Sequence, residues 1–87
     1  MKMIVCSVHD AAVGAYMQPF FSRSKPEAIR SFADAVGNGD SPFAKHKADF
    51  TLMVIGSFDD MTGEISYRAT GPEKLLSALE VVPLTGA

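Results

Sequence analysis

Two histidines, one cysteine and a scatter of carboxylates are the side chains of this 87-residue chain whose chemistry needs testing first. His9 stands beside Asp10, and His46 between Lys45 and Lys47; neither belongs to an HxxxH or CxxC spacing that would hold a metal. Each reads more simply as a surface histidine. Cys6 lies within the apolar run Met3-Ile4-Val5-Cys6-Ser7-Val8 with no base next to it, so its thiol reads as an inert core group. Asp59, Asp60 and Glu64 suggest a cation site, but EF-hand spacing is missing and a charged hairpin loop accounts for them. Gly37-Asn38-Gly39 would cradle a phosphate only by joining a strand to a helix, and it follows a helix instead. With no nucleophile–base pair in sight, the expectation is a binding protein that is not an enzyme and needs no metal or cofactor.

The bases are the next chemistry to weigh. Arg23, Lys25, Arg30, Lys45 and Lys47 face only Glu27, Asp34 and Asp40 between residues 23 and 47, whereas 49–60 carries Asp49, Asp59 and Asp60 and no base. A basic patch facing an acidic edge is one reading, and a solvated mixed surface the plainer one. The formal net charge of −2 has the wrong sign for holding duplex DNA by charge alone. A hydrophobic share of 47% suffices for a core and argues against disorder. The length suits one domain, 1–87. No apolar run reaches the ~18 residues of a membrane span, and residues 1–8 are too short for a secretory leader. A lone cysteine suits a reducing compartment.

These side chains hang on elements legible from pattern. Residues 2–8 read as a buried strand and 16–22 as a second, placed at an edge because Pro19 lacks a ladder donor. Ser24-Lys25-Pro26-Glu27 is a capping box with proline in the first turn, opening a helix whose apolar face is Ile29, Phe32, Ala33 and Val36 and which Gly37 ends. Residues 38–49 form a connection, with a turn of helix around Lys45-His46-Lys47. Residues 50–58 are the strongest strand, and Asp59-Asp60-Met61-Thr62-Gly63 is a hairpin loop leading to a partner at 64–69. Thr70-Gly71-Pro72-Glu73 then repeats the box ahead of Leu75, Leu76 and Leu79, which predicts a second helix within 70–82. Sliding Ser24 onto Thr70 also brings Pro26 onto Pro72, Glu27 onto Glu73, Ile29 onto Leu75, Ser31 onto Ser77 and Asp34 onto Glu80.

The expected fold is therefore α+β: tandem ββα units (1–37 and 50–82, with a tail at 83–87). These would form a four-stranded, mainly antiparallel sheet with two helices on one face. Alternation puts Phe50, Leu52, Val54 and Phe58 on one side of their strand and Met53 and Ile55 on the other. Residues 2–8 likewise set Ile4, Cys6 and Val8 against Met3 and Val5. A strand apolar on both sides is normally covered on both sides, and two helices cover one. A homodimer, through that second face or through an edge, is the expectation that follows.

The residues Pro19-Phe20-Phe21, Arg23, Glu27-Ala28-Ile29-Arg30-Ser31-Phe32 and Asp34-Ala35-Val36 form a distinctive series. It continues with Lys45-His46, Asp49, Leu52, Ile55-Gly56, Phe58-Asp59-Asp60 and Thr62-Gly63. In order and spacing the series resembles the small nonstructural protein of gokushovirus-type phages, single-stranded DNA phages of the microvirus family, over roughly residues 3–68. The resemblance implies a DNA-binding or replication-associated protein of the host bacterial cytoplasm. It also implies a part in the switch from duplex replication to single-strand synthesis and packaging. That family has no settled catalytic or base-reading residues to carry over. Phe20, Phe21, Ile29, Phe32, Ile55 and Phe58 are equally what a shared core requires.

Binding of single-stranded DNA would need cations along a groove and aromatic rings on which bases stack. Candidate cations are Arg23, Lys25, Arg30, Lys45, Lys47 and Arg68, led by Arg23 and Arg30, which a core does not explain; candidate rings are Tyr16, Phe43 and Tyr67. The alternative is a protein–protein adaptor that meets a phage or host replication or assembly protein through the second sheet face or the acidic hairpin.

Overall fold

A computed structural model describes residues 1–81. Its strands are β1 (Lys2–Asp10), β2 (Ala15–Tyr16), β3 (Phe20–Ser22), β4 (Phe50–Asp59), β5 (Glu64–Tyr67) and β6 (Glu73–Ser77); its helices are α1 (Lys25–Gly37) and α2 (Pro42–Lys45). Single 3-10 turns occupy Lys47–Asp49 and Ala78–Glu80. The fold is α+β, with one six-stranded antiparallel sheet rather than the expected four strands.

β1 and β4 are the long central pair. Each has an outer edge shared by two short strands: β2 and β3 on β1, β5 and β6 on β4. The sequence reads 16–22 as one strand; its edge position holds, but the ladder is interrupted around Pro19, which has no N–H to give.

The second helix expected within 70–82 does not form; β6 replaces it, and the tandem ββα description fails with it. β5 pairs only with the far end of β4, Gly56 to Asp59, leaving Thr51 to Val54 with unpaired edge groups. Residues 73–77 fill that gap, Leu52 opposite Leu76 and Val54 opposite Glu73, and a bulge lets the adjacent Leu75 and Leu76 both reach the core. Gly71, at φ +86°, turns the chain instead of starting a helix, and Glu73 is drawn to Lys25 and Arg68 rather than to the Thr70 N–H. Local capping chemistry lost to the open edge of a central strand. Residues 82–87, and with them the tail at 83–87, lie outside the described residues.

The first half follows its local code closely. Ser24 Oγ accepts the Glu27 N–H at 3.2 Å, with Pro26 in the first turn. The return bond of the box shifts by one residue, since the Glu27 carboxylate accepts the N–H of Arg23 at 3.2 Å. Helix α1 buries Ala28, Phe32 and Val36 against Cys6 and Val8 of β1 and Leu52 and Val54 of β4. Its apolar stripe is thus rotated toward Ala28, with Ile29 at the margin. Each large side chain so buried contributes roughly 1.5–3 kcal/mol. Residues 42–49 supply the expected helical turn in two pieces, α2 and the 3-10 turn after it. Gly63, at φ +78°, closes the β4–β5 hairpin, while Asp59 accepts the Met61 N–H at 2.9 Å. That aspartate is a turn residue.

Candidate binding face

The helices leave one side of the sheet bare, and register decides what stands on it. Cross-strand partners share a face. Met3 pairs with Phe58, Val5 with Phe21 and Gly56, Ser7 with Met53, and His9 with Thr51 and Tyr16. Phe58 continues to Ile65, Gly56 to Tyr67, and Met53 to Lys74. None of these belongs to the core on the helix side, which Ile4, Cys6, Val8, Phe50, Leu52 and Val54 share with α1.

A bulge in β4 shapes this surface. Cys6 pairs with Val54 but Val5 with Gly56, so Ile55 is the extra residue and the alternation slips by one. Phe58, expected beside Phe50, Leu52 and Val54, therefore crosses to the bare side. There its ring meets Phe21 at 5.1 Å between centroids. Tyr67 is 95% exposed, Ile65 67%, Phe21 50% and Tyr16 46%, so each presents a large part of its surface to solvent. His9, expected as a free surface histidine, is half-buried with its ring edge-on to Tyr16 at 4.8 Å.

Of the candidate rings, then, Tyr16 and Tyr67 lie on the bare face and Phe43 does not. Phe43 projects from α2 into the core, 5.5 Å from Phe32 and 4.9 Å from Phe50 between ring centroids. Phe21, Phe58 and Ile65 join the face without having been singled out for it. The β4 bulge that carries Phe58 over leaves one mark in the sequence, Gly56 inside the strand beside the extra residue Ile55.

The candidate cations do not converge. The Arg23 guanidinium holds the Glu27 carboxylate at 2.8 Å, and Glu73 is shared by Lys25 at 3.0 Å and Arg68 at 3.2 Å. Arg68 is further tied to the Gly71 carbonyl at 2.9 Å. Arg30 and Lys45 are exposed and Lys47 half-exposed; they belong to the helical layer and have no ion-pair partner among the described residues. The cation that does stand on the bare face is Lys74, hidden from sequence reading by the helix expected there, and it is paired with Glu80 at 3.1 Å. Apart from Lys74, rings and cations thus occupy different sides of the molecule.

Protonation follows these contacts. The Arg23 guanidinium, then the Arg23 N–H, lower the Glu27 carboxyl below its ordinary value. The Ser77 N–H, then Lys74, do the same for Glu80. Burial pushes the Cys6 thiol up to about 11, which leaves it protonated and poorly nucleophilic at neutral pH. Ser7, also fully buried, donates to the Met17 carbonyl at 2.7 Å and has no base beside it. Among the described residues no three of His, Cys, Asp and Glu come together as a metal site, and no helix is long and apolar enough to cross a membrane. A cleft beside α1, about 220 Å³ in volume, is lined by Val8, Met17, Gln18, Phe20, Phe32 and Phe43 among others, with nothing ionisable on its walls.

Residues 3–81 match the family model described as the phage ORF5 protein. The chain belongs to that family. No curated protein and no solved structure matches it. The match runs beyond β5 to include the residues of β6 and of the final 3-10 turn.

Proposed function

We propose that this phage ORF5 protein is a non-enzymatic binder of single-stranded DNA. In this reading it serves gokushovirus-type phages in the host cytoplasm, at the switch from duplex replication to single-strand synthesis and packaging. The strand lies across the bare sheet face and is held by base stacking more than by charge. What carries the reading is the set of rings on that face, with Tyr67, Phe21 and Tyr16 largely exposed. A stacked base contributes about 1–3 kcal/mol, so two or three platforms outweigh the few phosphate contacts available. No cofactor, metal or membrane enters the scheme.

The test is titration of labelled oligothymidylate with the wild-type chain and with Tyr16→Ala and Tyr67→Ala. Each substitution should weaken binding by roughly 5- to 150-fold, the equivalent of ~1–3 kcal/mol. Arg30→Ala and Lys45→Ala should matter less. With about two phosphates neutralised, a fourfold rise in salt costs roughly sevenfold in affinity. No binding at about 50 mM salt would overturn the proposal.

One observation favours a second reading, the adaptor. Met3, Met53 and Ile65 stand on the same face as the rings. Aliphatic side chains give a base nothing to stack on and suit a protein partner as well, and loss of DNA binding in the titration would pass the function to it.

A further inference from the structure

We infer that, in the absence of a strand, a second copy of this chain covers the bare sheet face, so that self-association and strand binding exclude one another. The exclusion rests on the DNA-binding reading; the self-association does not.

Area is the first ground. β1 and β4 run nine and ten residues, and short strands flank parts of each, so the sheet is at most four strands across. At ~4.8 Å between strands and ~3.3 Å per residue, this face spans roughly 20 by 30 Å. That is about 600 Å² in projection, and more once side-chain relief is followed. A standard interface takes ~800 Å² from each partner, whereas the largest apolar patch on an ordinary monomer is ~300–600 Å². Followed over its side-chain relief, the face approaches the area that one partner of a dimer contributes and stands at the upper end of what a monomer leaves exposed.

Charge is the second. Register places no carboxylate on the face, and its one cation, Lys74, is paired with Glu80. Two copies therefore meet without burying an unpaired charge and without like-charge repulsion. A heterologous partner is normally selected by complementary charge, and this face offers none to complement. An isologous contact needs only a surface that fits itself. The apolar pole, where Met3, Phe21, Phe58 and Ile65 surround the already buried Val5, supplies one. Its Phe21 and Tyr67 are also the stacking platforms. One occupant at a time is the consequence.

Sedimentation equilibrium of the full chain, at about 1–100 μM without DNA, reads the association directly. The expected result is a reversible monomer–dimer equilibrium, weakened at least about tenfold by Ile65→Lys, which sets a charge within the apolar pole of the contact. Ile65→Thr, a good β-former, is the second variant should the lysine disturb β5. Saturating oligothymidylate should convert wild-type dimer into monomer–DNA complex. A monomer throughout the range, a dimer indifferent to both substitutions, or a dimer that keeps its mass when loaded with DNA would each overturn the inference. A dimer sensitive to Ile65 that binds no DNA refutes the proposed function and leaves the self-association standing; a monomer that binds DNA does the reverse.

Discussion

Adding one methyl group at Gly56 should weaken this protein more than any other glycine-to-alanine exchange outside its turns. Gly56 is buried where β4 meets β5, directly opposite Tyr67. A Cβ there would overlap the Ser66 carbonyl oxygen and stand 3.4 Å from its carbon and 3.7 Å from the Tyr67 Cα. All three are backbone atoms held by the β4–β5 ladder, so no side chain can swing aside, and the strands must separate. Forcing a methylene into a packed site costs about 1–3 kcal/mol. In a domain of this size each kcal/mol lowers Tm by ~4–8 °C, so Gly56→Ala should melt roughly 5–20 °C below wild type. Gly37→Ala is the control: nothing lies within 4 Å of its added carbon and its backbone is helical, so stability should be unchanged or gain up to ~1 kcal/mol. Thermal denaturation followed by circular dichroism measures both. Strand separation should also displace Ile65 and Tyr67 and reduce oligothymidylate binding. A Gly56→Ala protein melting within about 2 °C of wild type would refute the close approach of β5 to β4, and with it the shape given to the bare face.

Phe43→Ala should cost about 2–3 kcal/mol in chemical denaturation, somewhat less than a fully buried phenylalanine, because the ring packs between Phe32 and Phe50. Tyr67→Ala, at a side chain 95% exposed, should stay within ~0.5 kcal/mol; equal effects at the two sites would contradict their placement on opposite sides of the sheet. The Cys6 thiol, buried and pushed up to about 11, should resist a thiol reagent at about pH 8 until the protein unfolds. Rapid labelling of the native protein would count against its burial. Glu27 and Glu80 are held below their ordinary carboxyl values, so the stability they contribute is complete above the unfolded value of ~4.3 and is lost as pH falls through the lower folded values. Glu27→Gln should therefore flatten the acid limb of Tm against pH, and an unchanged limb would show that the Arg23 contact does nothing for the fold.

Much of the first half was legible because its signals are local. Ser24, Pro26 and Glu27 act on backbone groups within one turn, and Ile29, Phe32 and Val36 recur at the helical period, so α1 follows from residues in immediate succession. The long strands and the Gly63 hairpin follow for the same reason. Thr70-Gly71-Pro72-Glu73 carries the same local signal, and the chain overrides it, because the unpaired edge of β4 is a stronger demand than a cap. Nothing near Thr70 in sequence announces that demand.

The candidate site divides along the same line. Composition and spacing alone point to an apolar sheet that one helical layer does not cover and to a lone inert thiol, and the ordered series from Pro19 to Gly63 carries the resemblance to a phage family. Only the tertiary structure decides which side chains meet. A one-residue bulge after Val54 carries Phe58 to the bare side, α2 turns Phe43 inward, and Glu73, brought beside α1 by β6, occupies Lys25 and Arg68 together. Side-chain type is a property of the chain, whereas facing and pairing depend on register and on contacts between residues far apart in sequence, which no local pattern encodes.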